Sequence, residues 1–193
     1  MATLATAAGS RGCTVVGTPT FDELTGTDGD DIICGFGGKD LIDGKAGDDV
    51  IFGGRGEDNL AGGAGADRLY GGRDDDRLFG EAQNDVLRGG RGADRFGGGY
   101  GDDLVFGGRG SDVDQNGGPG ADSYQGGPGS DTFTDFQGKD VMRGGRDGDG
   151  CLATADDSPG DTIVGGQGTD GYFADRGDRV VSAEMKLRET CFD

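Results

Sequence analysis

The sequence predicts an all-β fold, a parallel β-roll (β-solenoid) of stacked nonapeptide repeats closed by short terminal caps. From near Thr25, glycine, aspartate and an aliphatic residue recur with a period of nine. The chain holds 46 glycines among 193 residues, and only 32% of its residues are hydrophobic, which is a poor composition for a compact globule. One aliphatic residue per repeat can still build a thin core if the repeats stack.

Composition also excludes several classes of protein. The glycine period is not three and there are only four prolines, so the chain is not collagen. A net charge of −19 argues against a nucleic-acid partner, because phosphate binding needs a basic surface. No histidine is present for a zinc motif or a Ser-His-Asp triad, and no apolar run approaches membrane-spanning length. We therefore expect cations as ligands, no enzymatic activity and no membrane insertion.

Residues 1–15 are predicted to form an N-terminal tail and a first strand. The first ten residues are small and neutral, which favours a flexible tail, although Ala5-Thr6-Ala7 also resembles the end of a signal-peptide cleavage site. The β-branched run from Cys13 to Val16 predicts the first strand.

Residues 16–142 are predicted to form the roll itself, starting with a degenerate unit at 16–24. We number the places of the repeat from FGGRGEDNL, with glycine at the second, third and fifth places and aspartate at the seventh. The ninth-place residues should point inward: Ile33, Ile42, Ile51, Leu60, Leu69, Leu78, Leu87, Phe96 and Val105. At the next ninth place Asp114 replaces the aliphatic residue and Gln115 adds one residue, which we interpret as a bulge or a seam.

Residues 143–193 are predicted to hold degenerate repeats and a C-terminal cap. Units at 143–151 and 164–172 still resemble the repeat, with a loop-like stretch between them. The final residues are compatible with strands or with a short helix.

The four cysteines lie towards the two ends of the chain. An even number is typical of a disulfide-bonded extracellular chain, and four cysteines allow three pairings. We expect Cys13–Cys34 and Cys151–Cys191 to staple the two ends, with free buried thiols as the alternative.

Each repeat can supply oxygen ligands for a hard cation. Ca²⁺ takes six to eight oxygens at roughly 2.3–2.6 Å, glycine-rich turns can direct carbonyls to one point, and aspartate adds carboxylate oxygen. Two repeats make one coil, so turns on one edge recur every 18 residues. Successive turns on an edge then lie about 4.8 Å apart, which is the interstrand spacing, and two turns can share one ion. This predicts two columns of about ten Ca²⁺ ions in all. The candidate metal ligands are Asp31, Asp40, Asp49, Asp58, Asp67, Asp76, Asp85, Asp94, Asp103, Asp112, Asp122, Asp131 and Asp140.

Residues 16–172 resemble a known family, the RTX or haemolysin-type calcium-binding repeat proteins. The units that carry the resemblance include FGGRGEDNL, AGGAGADRL, RGGRGADRF, FGGRGSDVD, NGGPGADSY and QGGPGSDTF. The resemblance implies a right-handed parallel β-roll, calcium-dependent folding and a secreted, extracellular location. It also implies that turn carbonyls and the seventh-place aspartates bind calcium.

Two units depart from the pattern at glycine places. Asp74 stands at a fifth place, while Glu81 and Gln83 stand where glycines are usual. We expect weaker or empty sites around Asp76 and Asp85.

Calcium is also expected to drive folding. Without it, stacking would bring rows of carboxylates within about 5 Å of one another, and a thin core cannot offset that repulsion together with the entropy of so many glycines. We expect a largely disordered metal-free chain whose calcium binding free energy becomes folding free energy.

The eighth and first places should point outward, and one sheet then has the more apolar face. Its pairs are Ile32/Cys34, Val50/Phe52, Arg68/Tyr70, Val86/Arg88 and Leu104/Phe106. This favours a protein-docking surface, with ordinary β-propensity as the alternative, in a monomer or a weakly self-associating protein. The function expected is calcium binding by a secreted, non-catalytic protein. The alternatives are the repeat tail of a larger exported enzyme or toxin, and an adhesion module using the apolar face.

Overall fold

The structure, a computed structural model, describes residues 12–114, 117–135, 137–154, 160–174, 177–181 and 186–187. Its strands form two ten-stranded parallel sheets. Sheet one contains β1 (Val15–Val16), β3 (Ile32–Cys34), β5 (Val50–Arg55), β7 (Arg68–Arg73), β9 (Val86–Arg91), β11 (Leu104–Arg109), β13 (Ser123–Pro128), β15 (Val141–Arg146), β17 (Thr162–Gly166) and β19 (Arg179–Val181). Sheet two contains β2 (Glu23–Thr25), β4 (Leu41–Ala46), β6 (Asn59–Ala64), β8 (Arg77–Ala82), β10 (Arg95–Tyr100), β12 (Val113–Asp114), β14 (Thr132–Asp135), β16 (Cys151–Thr154), β18 (Gly171–Phe173) and β20 (Lys186–Leu187).

The chain alternates between the two sheets at every turn. Each strand pairs in parallel with the strand two elements earlier, as where Ile51 lies opposite Leu69. That pairing advances by 18 residues, so two nonapeptides make one coil and the predicted parallel β-roll is confirmed. The C-terminal residues continue both sheets as β19 and β20. No helix occurs among the described residues, so none of them forms a helical membrane span.

Most strands of the regular array are longer than the three residues predicted around each ninth place. They run for six residues, from the eighth place through the glycines to the fourth place of the next unit, as in Val50–Arg55. Glycine allows this extension because neighbouring coils approach closely at the third place. A Cβ on Gly90, for example, would lie 2.5 Å from the carbonyl oxygen of Gly72.

The core is a double column of inward side chains. All nine predicted ninth-place residues are at most 5% exposed, which confirms their inward orientation. The column continues through Tyr124, Phe133, Met142, Leu152 and Ile163. Fully burying one such side chain contributes about 1.5–3 kcal/mol, so each coil has only a small hydrophobic contribution with which to offset its glycine entropy.

Asp114 belongs to this core column. It pairs in β12 between Phe96 of β10 and Phe133 of β14, and its side chain is fully buried. The ladder is therefore continuous at Asp114. The extra residue appears beyond it, where the coil-to-coil register becomes 19, as between Val105 and Tyr124.

A disulfide joins Cys13 to Cys34, as expected. It ties the residues before β1 to the end of β3, the neighbouring strand of sheet one. Closing a loop of this length stabilises a fold by about 3 kcal/mol, which supports the first coil where stacking is one-sided. The expected Cys151–Cys191 pair lies outside the described residues.

Replacing Asp114 with leucine should stabilise the roll. A carboxylate buried between two phenylalanines has lost its hydration, and a leucine in its place would continue the apolar column on both sides. We expect Asp114→Leu to raise the free energy of unfolding in saturating calcium by about 1 kcal/mol or more, measured by urea denaturation.

Asp114→Asn is the matched control, since it removes the charge and keeps the shape. A leucine variant less stable than the wild-type protein would mean that the carboxylate itself stabilises the fold.

Candidate metal sites

The seventh-place aspartates form one column along each edge of the roll. In both columns, Oδ1 of each aspartate after the first accepts a hydrogen bond from the backbone N–H of the aspartate one coil earlier. The first-edge column contains Asp22, Asp40, Asp58, Asp76, Asp94, Asp112, Asp131, Asp149 and Asp170, joined at 2.8–3.1 Å. The second-edge column contains Asp31, Asp49, Asp67, Asp85, Asp103, Asp122, Asp140 and Asp161, joined at 2.7–2.9 Å. All thirteen predicted site residues lie in these columns.

The other carboxylate oxygen of most of these residues is buried without a hydrogen-bond donor. This holds for Oδ2 of Asp40, Asp49, Asp58, Asp67, Asp76, Asp85, Asp94, Asp112, Asp131, Asp149 and Asp170. Buried polar atoms are nearly always paired, and an unpaired carboxylate oxygen is especially costly. Two parallel rows of such atoms form an arrangement in which a bound cation would supply the missing partner.

Backbone carbonyls point into the same space as these oxygens. A Cβ on Gly53, at a second place, would lie 2.5 Å from Oδ2 of Asp58 and 2.9 Å from the carbonyl oxygen of Gly71 in the next coil. A Cβ on Gly35 would lie similarly close to Asp40 and to the carbonyl oxygen of Gly53. The second-place glycine therefore leaves open a small space lined by oxygens from two successive coils, which is the donor set that Ca²⁺ prefers.

Side chains alone do not make these sites. No three His, Cys, Asp or Glu side chains come together to hold a metal ion within the part of the chain that the structure describes. Each turn offers one seventh-place carboxylate, so an ion held between two turns would take its remaining oxygens from backbone carbonyls. This agrees with the high glycine content of the turns.

Asp31 differs from the aspartates further along its column. Its Oδ2 accepts hydrogen bonds from the backbone N–H and the hydroxyl of Thr27, at 2.6 and 2.8 Å, and its Oδ1 accepts one from the Thr14 hydroxyl. The Thr14 bond and the two Thr27 bonds lower the pKa of Asp31. Asp22 has the same arrangement with Thr18. In the first coils, the threonine at the third place thus donates the hydrogen bonds that the carboxylate oxygen needs.

The turns that lack a usual glycine keep the same backbone conformation. Asp74, Glu81 and Gln83 have φ of 75°, 79° and 79°, in the left-handed region that glycine occupies in other repeats. The Oδ1 hydrogen bonds to Asp76 and Asp85 are intact at 2.9 and 2.7 Å. A left-handed conformation costs a non-glycine residue roughly 1–2 kcal/mol, so these turns are formed but strained. The strain gives a physical basis for the weaker sites predicted there.

Burial raises the pKa of these column aspartates. Desolvation is the largest cause, opposed by the backbone hydrogen bond and reinforced by neighbouring carboxylates. The pKa rises to about 8 for Asp76 and Asp85, to about 7 for Asp112 and Asp149, and to about 6 for Asp58, Asp67, Asp94 and Asp131. Without a cation, the folded roll therefore favours the protonated acids.

The columns extend beyond the predicted residues. Asp149 and Asp170 continue the first-edge column, while Asp161 continues the second-edge column. Asp149 and Asp170 occupy the seventh places of the degenerate units at 143–151 and 164–172, so the repeat pattern could have identified them. Asp161 follows a stretch without the period, and its bond to Asp140 spans 21 residues, so no repeat pattern identifies it.

Restoring glycine should relieve strain in the turn before Asp85. We expect Glu81→Gly/Gln83→Gly to raise the free energy of unfolding in calcium by about 1 kcal/mol and to tighten calcium binding, because both residues have a positive φ.

Ala82→Gly is the control, since Ala82 lies between them and has no positive φ. It should be neutral or destabilising. A double variant no more stable than Ala82→Gly would refute the strain assignment.

The metal-free chain should be most folded in acid. The column carboxylates have folded pKa values raised above the unfolded 3.8, so their effect favours folding at about pH 4 and is lost as pH rises through about 6–8. Far-UV circular dichroism in chelator should show more β structure at about pH 5 than at about pH 8.

Calcium should reverse this trend, because it binds the deprotonated carboxylates and its apparent affinity falls as pH falls. A metal-free chain that is more folded at the higher pH would contradict the raised pKa values.

Comparison with known protein families matches the sequence to a family of calcium-binding repeats. The family model for the RTX calcium-binding nonapeptide repeat, which represents four copies, matches residues 16–51, 35–68, 52–87, 79–114 and 116–150. A search of the curated proteins gave no match. The matched residues include every turn from Asp22 to Asp149.

Proposed function

Because this chain belongs to the RTX calcium-binding nonapeptide repeat family, we propose that it holds a column of Ca²⁺ ions along each edge of its roll. The observation that supports this most directly is the row of buried Oδ2 atoms without donors on each edge. In each column the ions would be held by seventh-place carboxylates and by turn carbonyls of adjacent coils. Thirteen aspartates from Asp31 to Asp140 were predicted for this role, and Asp149, Asp161 and Asp170 would join them.

The ions would supply the positive charge that the folded roll lacks. With a net charge of −19, the chain concentrates buried carboxylates at the interstrand spacing of about 4.8 Å. Raised pKa values show how unfavourable that arrangement is for ionised carboxylates in the absence of a metal. Calcium binding would remove this penalty, so we propose that the binding free energy drives folding.

The proposed biological role is that of a secreted, non-catalytic calcium-binding protein. Family members are typically exported, and extracellular calcium would then trigger folding after export. An adhesive use of sheet one is a second candidate, favoured by its exposed Phe52 and Leu104. The sheet-one aromatic residues pack along the face, with Phe52 stacked on Tyr70 at 4.9 Å.

Asp58→Asn tests the assignment at one column residue, in a turn that has all of its usual glycines. It keeps the shape and the Oδ1 acceptor but removes the charge. We expect its calcium-binding midpoint to rise at least about tenfold, since weakening even the supporting residues of metal sites costs 10–100-fold. Competition with a chromophoric calcium chelator measures the shift.

Glu57→Gln is the matched control, because Glu57 is exposed in the same turn and its ion pair with Lys39 lies at the surface. It removes the same charge from the same turn. Equal effects of Glu57→Gln and Asp58→Asn would contradict the proposed ligand role, since net charge alone would then explain the change in calcium affinity.

A further inference from the structure

Sheet one carries all of its charge as arginine. Its ten strands contain nine arginines and no aspartate or glutamate. The chain as a whole has 37 acidic and 18 basic residues, so this separation is marked. Among the described residues, the acids lie in the turns and in the strands of sheet two, so every charged side chain in the strands of sheet one is a cation.

Four of these arginines share one register position on four successive strands of sheet one. Arg55, Arg73, Arg91 and Arg109 occupy the fourth place in β5, β7, β9 and β11, and each is the register partner of the next. We call this set the arginine row. All four side chains are exposed, and their strands lie about 4.8 Å apart.

No described carboxylate forms an ion pair with the arginine row. The ion pairs found in the described residues are Lys39–Glu57 and Lys45–Asp43. Like charges that stand opposite one another on adjacent strands are destabilising. Four consecutive unpaired arginines therefore indicate an external anion with a matching repeat.

We propose that sheet one is a docking surface for a linear polysaccharide that carries a carboxylate on each sugar, bound by the arginine row. The planar guanidinium group binds carboxylate through two parallel hydrogen bonds. A pyranose residue advances its chain by a distance close to the interstrand spacing, so successive sugars meet successive arginines. Four contacts in line favour a polymer over a small anion.

Other polyanions fit the row less well. An extended acidic peptide presents same-face side chains about 6.6–6.8 Å apart, and phosphates on one strand of duplex DNA advance about 3.4 Å along the axis. Single-stranded nucleic acid also needs free aromatic faces on which bases stack. On sheet one those faces are occupied, because Phe52 stacks on Tyr70 and Arg88 covers Phe106 at 4.2 Å.

Calcium would strengthen this surface, and in this respect the inference rests on the proposed function. Each arginine of the row lies three residues before a first-edge aspartate, as Arg73 does before Asp76. Ca²⁺ bound along that edge would neutralise the carboxylates beside the row. The positive potential of sheet one would then rise when the roll is calcium-loaded.

The test uses the full chain in saturating calcium and a fluorescently labelled short oligogalacturonate, below the concentration at which it gels. We expect salt-sensitive binding by fluorescence anisotropy. Arg73→Gln/Arg91→Gln should weaken it at least about tenfold, since each lost charged hydrogen bond is worth roughly that factor. Arg77→Gln/Arg95→Gln is the matched control, because these exposed arginines are register partners on sheet two.

Binding by the sheet-one variant within about twofold of wild type would overturn the inference, as would equal loss in both variants. Equally tight binding of single-stranded DNA of the same charge would also overturn it. Circular dichroism on the same samples separates the two claims. A chain that folds with calcium but does not bind the oligosaccharide refutes this inference alone, whereas a chain that does not respond to calcium refutes the proposed function as well.

Discussion

The roll depends on one constraint, the position of a carboxylate at the interstrand spacing inside every turn. Each column aspartate uses Oδ1 to receive the backbone N–H of the preceding coil, so the side chain sets the register of the stack. The same geometry buries Oδ2 against the carbonyls of the next coil. One oxygen thus holds the coils together, and we propose that the other is paired with a bound cation.

This constraint explains the glycine content more directly than flexibility does. The second-place glycine keeps open the space into which oxygens point, and the third- and fifth-place glycines provide a left-handed backbone. With so much of each repeat committed to the turn, a single inward side chain per repeat remains for the core. Leu69 and Leu78 are fully buried, but burial on this scale cannot by itself offset the cost of ordering nine residues.

Most of the fold and of the candidate sites could be predicted from the sequence, because both follow the nine-residue period. The ninth-place residues, the two columns of aspartates and the alternation between sheets all follow from a repeat of nine in coils of 18. Positions where the period fails could not be predicted in this way. The 21-residue step to Asp161 and the internal satisfaction of Asp31 by Thr27 depend on chain paths and hydrogen bonds that the pattern does not contain.

The repeat pattern does not predict the arginine row, for a physical reason. The pattern predicts three-residue strands, which leave only the eighth and first places as outward positions. The strands extend through the glycines to the fourth place, and that extension brings Arg55, Arg73, Arg91 and Arg109 onto sheet one.

The most direct test of the central claim is far-UV circular dichroism of chelator-treated protein during a calcium titration at about neutral pH, with magnesium as the control ion. Magnesium demands a smaller octahedral site and retains its waters, so it should not replace calcium in these turns. The account predicts a cooperative transition from disordered chain to β structure with calcium alone. Full β structure in the metal-free protein, or an equal response to magnesium, would contradict it.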